Sequence, residues 1–146
     1  MFPVPQCFTL NLMHLISLNI PSHLVLIWQN SSDIKITYKN SSKPKFIMLD
    51  DSKVWQEHGK LVIATHHYFP DSFGQLPHDP SKKINSGYKA IKWLNYFWVL
   101  SPALFRLMLP SHLWQHYCKL VCRIKLLHQC VIIEEDLKYA YELLMQ

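Results

Sequence analysis

Tyr88-Lys89-Ala90-Ile91-Lys92-Trp93-Leu94-Asn95-Tyr96-Phe97-Trp98-Val99-Leu100 decides the fold. Wound as a helix, this stretch puts Trp93, Tyr96, Phe97 and Trp98 on nearly every side. A helix apolar on every face is one buried on every face. The expectation is a central aromatic helix around which the rest packs. Pro102 should break it, leaving a short continuation over 103–109 that Pro110 ends. Ser111 then suits an N-cap for a long helix from His112 to His128. Its stripe is Leu113, Tyr117, Leu120, Val121, Ile124 and Leu127, at helical spacing. Glu134, Glu135 and Asp136 place negative charge at the start of a last helix ending near Met145, as the helix dipole favours.

Upstream the pattern loosens. Residues 1–29 form a helical entry segment in which Leu10, Met13, Leu15, Ile16 and Leu18 are dense enough for a buried helix. Pro21 should interrupt it, with Ser22 capping a second helix over 23–28. Residues 30–87 are irregular and loop-rich. Ile34-Lys35-Ile36-Thr37-Tyr38 alternates with period two, a short strand or hairpin arm between turn clusters. A helix is expected over about 51–66, since Val54, Trp55, His58, Leu61, Val62 and Thr65 recur at three and four residues. Gly59 inside it costs roughly 1 kcal/mol against alanine. Pro70 through Gly87 holds three prolines and two glycines, and reads as a long connecting loop of the functional or disordered kind. The fold class is therefore mostly α: one irregular helical domain, 1–146, with at most a short β-hairpin.

Composition narrows the function. The 146 residues are 49% hydrophobic and 17% charged, which is the balance of a packed core and not of a disordered chain. Three glycines leave no room for a glycine-rich phosphate loop. The net charge of +5 fits a polyanionic partner without requiring one. The opening Met1-Phe2-Pro3-Val4-Pro5 has no basic region of a secretory signal, so an intracellular, reducing location is expected, nuclear if DNA is the partner. The apolar run over 91–109 carries Lys92, Pro102 and Arg106, which disfavours a membrane span and suits a buried helical hairpin.

The chemistry-bearing clusters are weak. His116, Cys118, Cys122, His128 and Cys130 lie together in sequence, but no turn-borne Cys-x-x-Cys pair is present, so buried helix cysteines are the better reading. Asp50-Asp51 and Glu134-Glu135-Asp136 are better read as helix N-terminal charge than as metal pairs, since neighbours on a helix point apart. No metal or other cofactor is expected. Lys82, Lys83, Lys89 and Lys92 beside Tyr88 and Trp93 have the lysine-plus-aromatic character of nucleic-acid contacts, although a solvated helix face has it too.

Four ordered blocks carry a family resemblance. Pro5-Gln6-Cys7-Phe8-Thr9-Leu10-Asn11-Leu12-Met13-His14 resembles the D-x-M-H segment of CACTA-type (En/Spm-like) DDE transposases of fungal type. Trp55-Gln56-Glu57-His58-Gly59-Lys60-Leu61-Val62, then Pro70-Asp71-Ser72-Phe73 with Lys83-Ile84-Asn85-Ser86-Gly87-Tyr88-Lys89-Ala90, and the run from Ser101 to Gln129 resemble later blocks in the same order. The resemblance implies part of an RNase H-like core with a helical insertion. Intact relatives hold two Mg²⁺ ions roughly 3.5–4 Å apart on three carboxylates for in-line attack on a phosphodiester.

Carried over residue by residue, that chemistry fails here. Asn11 stands at the acidic position of the D-x-M-H segment, while His14 is retained. Lys92 stands where the resemblance places a later acid, and an ammonium repels a divalent cation. The first carboxylate of the family pattern lies upstream of these blocks. The resemblance therefore implies a truncated, degenerate and non-enzymatic transposase remnant. It would keep weak DNA-backbone affinity through Lys82, Lys83, Lys89, Lys92, Arg106, Lys119, Arg123 and Lys125. The alternative is a helical interaction domain that self-associates through exposed apolar helices, and a membrane-associated protein ranks third.

Overall fold

The computed structural model describes residues 14–31, 44, 46–83 and 88–145. Among them every regular element is a helix or helical turn. The strand expected over 34–38 lies outside the described residues. A π-helical segment, Leu15–Asn19, runs into α1 (Ile20–Trp28). After the 46–50 connection comes α2 (Ser52–Ala64), followed by 3₁₀ turns at His66–Tyr68 and Asp71–Phe73 and the short α3 (Pro80–Lys83). The aromatic helix is composite: α4 (Ala90–Trp93), a π segment Leu94–Leu100, α5 (Ser101–Leu104) and a 3₁₀ turn Phe105–Leu107. Two helices end the chain, α6 (Ser111–Leu127) and α7 (Glu134–Met145).

The core forms on the aromatic helix as its composition requires. Trp93, Tyr96, Phe97, Trp98 and Phe105 are all buried. Trp28 delivers α1 to this cluster, stacked on Phe97 at 6.0 Å between ring centroids and edge-on to Phe105 and Tyr117. Edge-to-face pairs of this kind add about 0.5–1.5 kcal/mol each beyond area burial. The Trp28 carbonyl also accepts from the Met48 and Leu49 amides, both at 2.9 Å, tying the 46–50 connection to the end of α1. Burial is not all round, however. Ile91 and Val99 face outward, and Asn95, between them on the same side, is covered by the 73–75 backbone.

The two prolines expected to break helices do not break them, and both are tolerated in the same way. In a π segment the carbonyl of residue i accepts from the amide of i+5, as Ile20 donates to Leu15 and Ser101 to Tyr96. Pro21 and Pro102 each stand where the next such amide is needed and have none to give. The carbonyls left over are those of Ile16 and Phe97. Trp98 Nε1 donates to the Ile16 carbonyl at 3.0 Å. Ser101 Oγ donates to the Phe97 carbonyl at 2.8 Å, joined there by the Tyr117 hydroxyl. Side chains from other turns thus replace the missing donors, and the helix runs on.

Caps explain the remaining boundary differences. Ser22 is inside α1, its hydroxyl donating back to the Asn19 carbonyl, and caps nothing. α1 ends in a Schellman arrangement, with Asn30 at φ 53° and the Ser31 and Asn30 amides donating to Leu26 and Ile27. Asp51 caps α2, accepting from the Lys53 amide at 2.8 Å. Ser111 is the first residue of α6, not its cap; extended Pro110 holds that position and its carbonyl receives the Trp114 amide. The α6 stripe is as expected, with Tyr117, Val121 and Ile124 buried. No helix among the described residues is long and apolar enough to cross a membrane.

Candidate functional site: a polar strap over the aromatic core

Residues 66–83, which include most of the loop expected from Pro70 to Gly87, are an ordered strap lying over α2 and the aromatic helix. Side chains from the structure beneath, and His66 from the strap's own first turn, hold its backbone. Asn95 Nδ2 donates to the Phe73 and Gln75 carbonyls at 3.0 and 3.1 Å. His66 Nε2 meets the Pro77 carbonyl at 2.7 Å, and the Tyr88 hydroxyl donates to the His78 carbonyl. Pro77 and Pro80 are fully buried, which requires no donor of them. Gly74 supplies the one positive-φ turn of the strap, at 67°.

Asp79 anchors the far end. Its Oδ1 accepts from the Ser81 amide at 2.9 Å and the Ser81 hydroxyl at 2.6 Å, the geometry of an N-cap with Pro80 at the first helical position. The carboxylate lies directly against Gly59 of α2, where an added Cβ would sit 1.9 Å from Oδ1. Gly59 is therefore a site of close approach and not merely a helix defect. Gly59→Ala should gain about 1 kcal/mol of helix propensity and lose more by displacing the cap, for a net destabilisation of about 1–3 kcal/mol in urea titration. A stabilised variant would show that the strap does not rest on α2.

Beneath the strap His58 lies between the Trp55 and Phe105 rings, with Nε2 hydrogen-bonded to Tyr96 Oη at 2.8 Å. Its Nδ1 is buried without a partner. Burial lowers its pKa from 6.5 to about 4, the Asp79 charge opposing this only in part. The imidazole is neutral at pH 7. Burial likewise pushes the Tyr88 and Tyr96 hydroxyls well above the usual tyrosine range. Ser81, Asp79 and His58 do not form a nucleophile relay, because Ser81 gives its proton to Asp79 and His58 is hydrogen-bonded to Tyr96.

Cations rim the outer side. Gln56 and Lys60 of α2 share a cleft of about 200 Å³ with Asp79, Ser81 and Lys82. Lys82 Nζ stands 3.6 Å from Asp79 Oδ2 and is largely exposed. Lys92 Nζ donates to His78 Nδ1 at 3.2 Å, so that imidazole presents its lone pair to an ammonium. Lys89 is exposed at the start of α4.

The expected site residues thus separate into two groups. Lys82, Lys89 and Lys92 belong to the strap and the α4 entry it contacts, and Lys83 closes α3. Arg106 lies over the Trp114 ring at 4.3 Å. Lys119 lines the groove between α6 and α7, Arg123 follows one turn later with a buried Nε, and Lys125 is exposed on α6. Asn11 lies outside the described residues, and His14 is exposed ahead of the first π segment. Lys60 and Gln56 were missed, although their four-residue spacing on the expected α2 helix was legible. Asp79 following in the sequence gave no sign that it would meet them.

Cys118 and Cys122 both line the α6–α7 groove, and burial pushes the Cys118 thiol up. Among the described residues no three His, Cys, Asp or Glu side chains are grouped to hold a metal ion. The fold and the strap define the class as a mostly helical domain with a cation-rimmed polar strap. No family model, curated protein or solved structure matches the chain.

Proposed function

We propose that the chain works by contact and not by chemistry, as a non-catalytic, transposase-like domain that holds the DNA backbone weakly through its strap. The observation that carries this is that Lys60 and Lys82 line one cleft, with Gln56 as a neutral donor on the same wall as Lys60. Phosphates are neutralised by ammonium groups and positioned by neutral donors of this kind. Asp79 weakens the field, which fits low affinity. The resemblance supports the same reading from the other side. Lys92, where it places an acid, holds its ammonium against His78, a poor setting for Mg²⁺.

Fluorescence anisotropy with a short duplex tests it. Binding should be sequence-independent with Kd of about 10⁻⁴–10⁻⁶ M, and log K should fall with log salt. The double variant Lys60→Glu/Lys82→Glu should weaken binding roughly tenfold or more and flatten the salt slope by about 2. Salt-independent binding, or binding unchanged in the variant, would remove the strap from the account.

A second reading, a helical interaction domain, is favoured by the outer face of α7. Leu137, Tyr141 and Met145 there are more than half exposed.

A further inference from the structure

α7 is apolar on two sides. Ala140 and Leu143 are buried on its inner side. On its outer side Ile133, Leu137, Tyr141 and Met145 recur every fourth residue and are 53, 54, 63 and 74% exposed. Residues four apart lie on one helix face, so these form a continuous stripe. One flank of the stripe carries Glu134, Lys138 and Glu142 at the same four-residue spacing. Lys138 Nζ reaches Glu134 Oε1 at 2.8 Å, with both side chains mostly in solvent.

We infer that the occupant of this stripe is a second copy of the same α7, packed antiparallel about a two-fold axis level with Ala140. The inference rests on the interaction reading above and names its partner. With the axis there, Tyr141 of the second copy comes level with Tyr139, and Leu137 of the second copy with Leu143. The partner's stripe residues therefore fall in the gaps between Leu137, Tyr141 and Met145, alternating every two residues, about 3 Å along the axis. Knobs fill gaps along the whole stripe.

The charges select the same register. A two-fold of this kind brings the charged flank of one helix against the same flank of the other, in reverse order. Lys138 then stands level with Glu142 of the second copy, and Glu142 with Lys138 of the second copy. A parallel pair would instead set the charged flank of each helix against the opposite flank of its partner, so that Lys138 meets no glutamate of this row. The negative–positive–negative row complements itself when it faces its own copy staggered by one turn, which the two-fold level with Ala140 supplies, and an isologous interface sets the same patch against itself. An apolar seam with charges along its edge is also how helix pairs choose partner and orientation.

Sedimentation of the full chain across a micromolar concentration series tests the inference. The chain should be a reversible dimer, and Leu137→Glu should weaken it by at least tenfold. Lys138→Glu and Glu142→Lys alone should each weaken it roughly tenfold, since each breaks two symmetry-related pairs. The combined Lys138→Glu/Glu142→Lys variant should restore wild-type association. These side chains are exposed, so circular dichroism should show unchanged helicity in every variant. A wild-type chain that stays monomeric overturns the dimer. A dimer indifferent to Leu137→Glu overturns the α7 surface. Loss on Leu137→Glu without rescue by the swap overturns the antiparallel register while leaving α7 as a docking face.

Discussion

Trp98→Ala is expected to cost about 4–8 kcal/mol of folding free energy, enough to unfold most of the chain if its stability lies in the usual range of about 5–15 kcal/mol. Two losses add. Trp98 is buried with its ring edge-on to Phe97 at 4.9 Å, and truncating a core aromatic costs about 3–5 kcal/mol. Its indole N–H also serves the Ile16 carbonyl, which Pro21 leaves without its helical donor. A buried acceptor stripped of its only good partner costs about 1–3 kcal/mol. Trp98→Phe separates the two, keeping most of the ring and removing the N–H. It should lose about 1–3 kcal/mol in urea titration. A loss well under 1 kcal/mol in Trp98→Phe would mean that the Ile16 carbonyl finds another donor and that Pro21 is tolerated for some other reason.

Acid should destabilise the fold through His58. Its pKa is lowered from 6.5 to about 4 on folding, because charging it would bury an imidazolium between Trp55 and Phe105. Between those values the unfolded chain binds a proton that the native state refuses, so stability falls as pH falls through this window. The contribution is fully present above pH 6.5, and about 3 kcal/mol of it is gone near pH 4. Asp79 moderates the loss, since its carboxylate attracts the proton. The double variant His58→Phe/Tyr96→Phe replaces both hydrogen-bonding partners with apolar rings, an exchange that can be nearly neutral at pH 7. It should flatten the stability profile between pH 4 and 6.5. A slope unchanged in the variant would assign the acid sensitivity to other groups.

The parts legible in the sequence are those set by local periodicity. Trp55, His58 and Val62 of α2, and Tyr117, Val121 and Ile124 of α6, are buried as their spacing requires. The crowd of rings from Trp93 to Trp98 marks the centre of the core. What spacing could not convey is long-range repair of backbone hydrogen bonding. Pro21 and Pro102 read as breaks because their replacement donors, Trp98, Ser101 and Tyr117, act through tertiary contacts or an intervening turn. The strap was illegible for the same reason. Its prolines and turn residues look like a free loop, while Asn95 and Tyr88 reaching into it, with His66 bonding across it, make it structure. Gly59 shows the reverse error: its local cost was visible, while the Asp79 carboxylate that requires a missing Cβ was not.

The claim of contact without chemistry is tested most directly by incubating the purified chain with supercoiled plasmid in Mg²⁺ or Mn²⁺, at concentrations where anisotropy shows binding. The account predicts no nicked or linear DNA above the protein-free control. Metal-dependent nicking that co-purifies with the chain and disappears in a carboxylate variant such as Asp79→Asn would contradict it.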